Sequence, residues 1–475
     1  MKTILLLTYF AGWALIPHLL MLKKRPAATL AWLWAIIFIP LLGALAYLAF
    51  GTHRLKRRRL KRRNLFSARS SHQRTPASAT DDATNTLVGD LPRRDRQFLQ
   101  LLSRINQLPV SSTTELRILC NSDEFYPALA SRIRDARHHI HIEFYVWQPD
   151  DTGRRFLQLL TDAARRGVVV RLLLDGVGSH RLSESLLAEY RTAGGHFSWF
   201  QSLDPLRNRF FLNLRNHRKL QIIDGTVAFV GGMNIGREYE GLDAASGHWR
   251  DVQVEATGSV ACELQEVFAD DWFFATDEKI AGADYFPTSG ARARHPAHIV
   301  LGGPDRQNEP ISKSIVSLLN EASDRVWIAT GYFVPDDILL AALELAASRG
   351  VDVRLLISEK NDHPFLVTVG RSYYDELLAA GVRIFEYSAG IYHSKIALAD
   401  ARWGMVGSAN LDYRSMRLNF ELNLIFHSAA QNEVLARVLA HDLGLCREIE
   451  PAVFARRPFR QKLSEAALRP LSPLL

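Results

Sequence analysis

The chain has 475 residues, 47% of them hydrophobic and 23% charged, which allows two or three folded domains and excludes a disordered protein. Its net charge of +8 favours an anionic partner, and nucleic acid and anionic lipid both qualify. Three cysteines, Cys120, Cys262 and Cys446, lie far apart in sequence and argue against a zinc site or a disulfide framework.

The first predicted elements are apolar. Ile4 to Leu22 and Ala27 to Phe50 are each close to the length that spans a bilayer, with Lys23, Lys24 and Arg25 between them. Pro17 and His18 weaken the first run, and an interfacial helix is its alternative. Pro40 is expected to kink the second run without breaking it. No small-residue cleavage site follows the first run, so it does not read as a signal peptide. Arg54, Lys56, Arg57, Arg58, Arg59, Lys61, Arg62 and Arg63 follow the second run. This larger basic cluster is expected to stay cytoplasmic, with both termini and the rest of the chain on that side. It also attracts anionic headgroups, at about 1 kcal/mol per well-placed Lys or Arg. Residues 1–63 are therefore expected to form a membrane hairpin (spans about 4–22 and 27–50) with a basic juxtamembrane segment. Ser67 to Asn85 is rich in Ser, Thr, Ala and Asp, and 64–90 reads as a flexible linker.

Pro92 to Leu108 looks helical and leads into two α/β halves, expected at 91–287 and 288–475. In the first, Ile140 to Trp147 reads as a strand, Arg154 to Arg166 as an amphipathic helix, Gly167 as its stop and Val168 to Leu174 as a buried strand. In the second, Val326 to Val334, Ile338 to Ser348, Gly350 and Val351 to Ile357 repeat that order. The junctions match closely: R-R-G-V-V-V-R-L-L-L against S-R-G-V-D-V-R-L-L-I. Alternating strands and helices predict a largely parallel or mixed sheet with helices on both faces. The halves are expected to meet near Tyr285 to His298.

Each half then reaches the same motif. His217, Lys219 and Asp224 form H-x-K-x4-D, followed by Gly231, Gly232 and Asn234. His393, Lys395 and Asp400 repeat it, followed by Gly407, Ser408 and Asn410. One H-x-K is cheap, but two copies with matching offsets point to one site assembled from two halves. On a strand, the His and Lys of H-x-K point to one face. Two facing halves then offer two imidazoles and two ammonium groups, a set suited to a phosphodiester. The lysines, with Asn234 and Asn410, can bind non-bridging oxygens. One His can attack phosphorus, and the other can protonate the leaving alkoxide and deprotonate the incoming hydroxyl. With the lysines supplying positive charge, no metal or other cofactor is expected. Asp224 and Asp400 lie five residues beyond the lysines and read as supporting groups. Asp251 and Glu421 follow the motifs at similar distances, and each can orient a histidine.

The duplicated motif resembles the HKD motif of the phospholipase D superfamily, over about residues 115–475. Within it, R-N-H-R-K-L-Q-I-I-D-G (Arg215 to Gly225), G-G-M-N-I-G (Gly231 to Gly236), W-R-D (Trp249 to Asp251), G-Y-F-V-P-D (Gly331 to Asp336), Y-H-S-K (Tyr392 to Lys395), G-S-A-N-L-D-Y-R-S (Gly407 to Ser415) and the terminal L-S-P-L-L are similar to bacterial cardiolipin synthases. The resemblance implies two similar phospholipase D-like halves forming one site after a transmembrane hairpin. It implies His217 and His393 as nucleophile and acid/base pair, with His217 favoured as nucleophile. Lys219, Lys395, Asn234 and Asn410, with Gly232 and Ser408 beside them, become the phosphate-binding set. Gly232 stands where a Ser is common in the superfamily, which puts a hydroxyl contact to phosphate in the first half in doubt. The implied reaction turns two phosphatidylglycerol molecules into cardiolipin and glycerol at a bacterial inner membrane, with the catalytic part in the cytoplasm and no nucleic acid partner. Phe210 to Leu214 is a candidate for dipping into the bilayer, with core packing as the equal alternative. A membrane-bound phospholipase D making phosphatidic acid would carry an identical motif. A nuclease or a non-catalytic scaffold fits less well, given the membrane runs and two complete motifs.

Overall fold

The computed structural model describes residues 13–21, 26–48, 79–201, 214–242, 247–287, 292–306 and 308–474. Two compact units emerge, residues 1–67 with 205–212, and residues 68–204 with 213–475.

In the first unit the described helices are Ile16–Met21, Pro26–Phe38 and Pro40–Ala46. The second apolar run is broken at Ile39, not merely kinked, and Pro40 starts a new helix. Proline has no N–H to donate and its ring clashes with the carbonyl four residues back, so the helix ends before it and restarts with Pro40 in the first turn. Leu19, Ile36 and Tyr47 make a small core, and a hydrogen bond of 2.8 Å joins His18 Nδ1 to the Tyr47 hydroxyl. Trp34, Phe38, Leu41, Leu42 and Leu45 face outward. Among the described residues no helix is long and apolar enough to cross a membrane. The rest of the two expected spans, the basic cluster and nearly all of the Phe210 to Leu214 stretch lie outside the described residues.

The second unit carries eighteen described strands. In chain order they are β1 (Ser111–Thr113), β2 (Leu116–Cys120), β3 (His139–Phe144), β4 (Val169–Leu174), β5 (His196–Trp199), β6 (Leu220–Ile223), β7 (Val227–Gly231), β8 (Trp249–Arg250), β9 (Val252–Thr257), β10 (His295–Gly302), β11 (Arg325–Thr330), β12 (Asp352–Ser358), β13 (Arg383–Tyr387), β14 (Ile391–Tyr392), β15 (Ile396–Ala399), β16 (Trp403–Gly407), β17 (Glu421–His427) and β18 (Cys446–Glu448). One sheet runs β2-β9-β7-β6-β3-β4-β5. The other runs β10-β17-β16-β15-β11-β12-β13, with β1 and β18 added at its two edges. Strand for strand the two orders are the same. In each, three strands are parallel and the remainder antiparallel, so both sheets are mixed.

The repeat extends to local chemistry. The crossover helices Asp151–Arg165 and Asp337–Ser348 begin with equivalent caps: Asp150 accepts from Gly153 N, and Asp336 from Leu339 N, each at 2.9 Å. Both end before a glycine in the left-handed region, Gly167 and Gly350, each at φ 88°. Ile140, Ile142 and Phe144 on β3, and Val326 and Ile328 on β11, bury the inner face of each sheet against these helices.

Two expectations change. The predicted linker contains a helix, Ala79–Gly89. Thr84 is buried and donates to the Ser112 hydroxyl at 2.9 Å, while Val88 and Leu91 rest on the second-half core. Few apolar residues suffice for ordering when a finished core is there to receive them. The lead-in helix Arg93–Asn106 also belongs with the second half, not the first. Its Phe98, Leu99 and Leu102 enter that half's core, and β1 pairs with β10.

Candidate active site

Each motif stands at the start of a strand. His217 and Lys219 precede β6, and His393 and Lys395 precede β15. All four side chains are buried. Lys219 Nζ folds back to donate to the His217 carbonyl at 2.7 Å, and Lys395 donates likewise to the His393 carbonyl. Each ammonium has further N–H groups for a ligand.

The two halves are stitched together at these points. Asn216 bridges Phe420 in parallel, and His217 N donates to Phe420 O at 2.9 Å. Similarly β14 pairs in parallel with β8, Tyr392 opposite Arg250, and His393 N donates to Arg250 O at 2.8 Å. In a parallel register the next residues along are also neighbours. That sets His217 beside Glu421, and His393 beside Asp251. The acids therefore cross over: each histidine is held by the carboxylate of the other half. His217 Nδ1 is 3.0 Å from both Glu421 oxygens, and His393 Nδ1 is 2.7 Å from Asp251 Oδ2. With both Nδ1 atoms engaged, both Nε2 atoms are left for substrate.

The two pairs differ in charge. Burial pushes Glu421 upward, but His217, Lys219 and Ser408 outweigh it and hold it below the usual carboxylate value. Ser408 donates to Glu421 Oε2 at 2.5 Å, and Asn419 donates to Oε1 at 3.3 Å. Burial pushes Asp251 up to about 7 against the pull of Lys395. No Ser-type hydroxyl supports Asp251, because its counterpart is Gly232, where a Cβ would overlap the Asp251 carboxylate. Burial lowers both histidines, His393 further, with Lys395 and Lys219 adding to the effect. Burial likewise brings Lys219 down to about 7 and Lys395 to about 8.

The asparagines also differ. Asn234 is largely committed: its oxygen accepts from Val146 N at 3.1 Å and its Nδ2 donates to the Tyr239 hydroxyl at 3.0 Å. The buried Asn410 oxygen has no partner within the described residues. Next to it Gly331 occupies the place that Tyr145 holds in the first half, counting along β11 and β3. Tyr145 stands edge-on to His217 at 5.0 Å between ring centroids, whereas at Gly331 a Cβ would already meet Tyr392 O at 3.1 Å and Asn410 Oδ1 at 3.4 Å.

Asp224 and Asp400 do not join the site. Each follows its strand at positive φ (51° and 53°) and turns the chain into the next strand. Asp224 accepts from the amides of Arg137, His138 and His139 at 2.8–2.9 Å. Asp400 accepts from those of Ser323, Asp324 and Arg325. Seven residues of extended chain put each roughly 20 Å from its histidine, so these are capping residues of the sheet and not catalytic ones. Ser408, expected at the phosphate, spends its hydroxyl on Glu421. Tyr145, Tyr239 and Trp249 surround the histidines; of these the sequence reading touched only Trp249, as part of W-R-D, and gave it no role. Tyr239 places its hydroxyl 3.3 Å from His393 Nδ1, and the Trp249 ring lies 5.1 Å from the His393 ring. Aromatic residues near a motif carry no signal distinguishing a site wall from core. Among the described residues no cluster of three or more His, Cys, Asp or Glu could hold a metal ion.

The comparisons agree with this geometry. A family model described as "Cardiolipin synthase, PLD-like domain" matches residues 129–272 and 315–443, which include both motifs. One described as "Phospholipase_D-nuclease N-terminal" matches residues 10–51. The cardiolipin synthase of Geobacillus kaustophilus is 37% identical over 460 residues, 95% of this chain and 90% of that protein. Cardiolipin synthase A of Pseudomonas syringae is 33% identical over 473 residues, 96% of this chain and 95% of that protein. A solved phosphatidylserine synthase from Haemophilus influenzae has the same fold, with TM-score 0.58 at 15% identity, over 81% of this chain and 100% of that one. Two interlocked halves, two complete motifs and similarity along nearly the whole length make this chain a phospholipid-modifying enzyme that belongs to the cardiolipin synthase family.

Proposed function

We propose that the chain joins two phosphatidylglycerol molecules into cardiolipin and glycerol, through a phospho-histidine formed on His217. The observation that carries this reading is the crossed pair of His–carboxylate contacts, which leaves two Nε2 atoms beside two buried lysines.

The charge difference between the pairs supports this division of roles. Ionised Glu421 accepts a proton-bearing Nδ1 of His217, so the lone pair sits on Nε2 and is a nucleophile. The Asp251–His393 pair retains one more proton near neutral pH. With the extra proton on Nδ1 and Asp251 accepting it, His393 presents Nε2–H as an imidazolium acid and is left a neutral imidazole when that proton is given up. His217 Nε2 attacks phosphorus while His393 gives its proton to the departing glycerol oxygen. Lys219, Lys395 and Asn410 meet the charge on the non-bridging oxygens. His393 then takes the proton of the second lipid's hydroxyl as that oxygen attacks, and His217 is released. One phosphodiester replaces another, so the exchange needs no nucleotide. Water competes for the same intermediate, and burial of the site disfavours it.

The N-terminal unit is the membrane anchor in this reading, a hairpin in a bacterial cytoplasmic membrane with the catalytic unit on the cytoplasmic side. Its support is the outward-facing Trp34, Phe38, Leu41 and Leu42 and the eight basic residues from Arg54 to Arg63. The test is an incubation of purified protein with labelled phosphatidylglycerol in detergent–lipid micelles, with His217→Ala and His393→Ala alongside. Cardiolipin with equimolar glycerol, lost in both variants, is the expected result. Phosphatidic acid alone would replace the transferase with a hydrolase.

A further inference from the structure

An amphipathic helix at the surface of a folded unit normally turns its apolar stripe inward and its polar stripe to water. The helix Phe459–Leu468 does the reverse. Phe459, Leu463, Ala466 and Ala467 recur at the spacing of a single helix face. All four are exposed, Phe459 by 76% and Leu463 by 56%. Gln461, Glu465 and Leu468 occupy the opposite face, Glu465 buried and the other two half-buried. Arg460 and Lys462 are exposed and fall on either side of the apolar stripe.

Polar contacts hold the helix in this sense. Arg457 Nε donates to Glu465 Oε2 and its Nη2 to Asp375 Oδ2, each at 2.7 Å, and Gln461 Nε2 donates to Glu465 Oε1 at 2.9 Å. Lys462 Nζ donates to the Ala455 carbonyl at 2.7 Å, which ties the helix to the preceding one, Pro451–Ala455. There too an aromatic ring turns inward: Phe454 and Leu468 rest on the second-half core, while Val453 and Arg456 are exposed. The helix Pro364–Arg371 packs against Phe459–Leu468. It starts two residues after Asp362, which accepts from the Tyr332 hydroxyl at 2.6 Å. Asn361 Nδ2 donates at 3.1 Å to the carbonyl of Gly331, the glycine set against His393 and Asn410. One segment therefore runs from the active site to the helix that supports the inverted one.

A Phe and a Leu exposed on one stripe, with a cation on either side, form the pattern of a helix lying in a lipid interface, its apolar side chains below the headgroups and its basic ones level with them. We propose that the outward stripe of Phe459 and Leu463, rimmed by Arg460 and Lys462, docks the catalytic unit onto an anionic bilayer surface, in addition to the N-terminal anchor. The positive rim complements anionic headgroups, which substrate and product both carry in the reading above. The inference needs only a phospholipid substrate, so it holds for transfer and for hydrolysis alike.

The test reconstitutes the full chain into vesicles of phosphatidylglycerol and phosphatidylcholine, and runs the same chain in detergent–lipid micelles. Leu463→Cys carries an environment-sensitive fluorophore, and the unaltered chain labelled alongside gives the background from Cys120, Cys262 and Cys446. Quenching of the added signal by lipids with nitroxide-bearing acyl chains is expected in vesicles containing phosphatidylglycerol, and should weaken in phosphatidylcholine alone. Phe459→Ser combined with Leu463→Ser should lower cardiolipin formation in vesicles about tenfold, per chain recovered with them, and leave the micelle rate within about twofold. Arg460→Gln should give a smaller drop of the same kind. No quenching with phosphatidylglycerol present, or equal loss of rate in vesicles and micelles, overturns the docking face. So does a dimer of the unaltered chain in detergent that the double Ser variant dissociates, because the stripe then belongs to a second copy. Failure of the unaltered chain to make cardiolipin in micelles sinks the transferase reading, while the quenching result still decides the docking face.

Discussion

The two halves share one topology and have diverged in chemistry. Around His217 stand an ionised Glu421, the Ser408 hydroxyl and the Tyr145 ring. Around His393 stand Asp251, pushed up to about 7, with Gly232 where the hydroxyl would be and Gly331 where the tyrosine would be. A duplicated fold thus produces a site that is symmetric in backbone and asymmetric in proton affinity. In the proposed reading one histidine offers a lone pair and the other a proton to the reacting phosphodiester, which a two-step transfer requires.

The strongest way to break this comparison is to change the two acids separately. Glu421→Gln removes the charge behind His217, the proposed nucleophile, and should lower kcat by about 10²-fold. Asp251→Asn keeps a neutral partner for Nδ1, its amide oxygen accepting in place of the carboxylate, and should cost only about tenfold near neutral pH. Equal losses, measured as initial rates of cardiolipin formation, would erase the distinction between the pairs.

The pH profile sharpens it. The pair at Asp251 holds its extra proton below about 7 and loses it as pH rises. Lys219 and Lys395, lowered to about 7 and about 8, lose their charge over the same range. The empty enzyme's kcat/KM should therefore fall on the alkaline side. Asp251→Asn should remove the component near 7 and leave the lysine component, which a rate profile from pH 6 to pH 9 would reveal (roughly the window these shifts span).

A smaller effect comes from the hydroxyl present in one half only. Ser408→Ala removes a hydrogen bond to a charged oxygen and should lower kcat roughly tenfold. Gly232→Ser, intended to restore symmetry, should lower the rate as well, because its Cβ displaces the Asp251 carboxylate. A faster Gly232→Ser enzyme would show that the asymmetry is incidental.

The smallest effect on catalysis is expected at the motif aspartates. Asp224→Ala should leave kcat within about twofold but cost about 2–4 kcal/mol of stability, through three lost amide contacts and a strained positive φ. Thermal unfolding beside the kinetic assay separates the two. A large loss of kcat in a stably folded variant would give Asp224 a part in catalysis.

Much of this was legible in the chain. The strand–helix–strand order around Gly167 and Gly350 was readable because apolar periodicity and glycine stops act locally. The histidines and lysines were readable because they occur twice at one spacing. The aspartates of the same motif misled, since their repetition reflects a repeated turn. The helix at Ala79–Gly89 was missed because the core that orders it lies hundreds of residues further along.

Sequence alone determined that there are two similar halves, brought His217, Lys219, His393 and Lys395 forward as candidates, and through its family resemblance pointed to a phospholipid. Tertiary structure decided which carboxylate serves which histidine and that Ser408 faces Glu421. Those contacts arise where strands some two hundred residues apart pair in parallel, Asn216 with Phe420 and Tyr392 with Arg250. Such a register depends on how the two sheets pack against each other, and local patterning does not encode it.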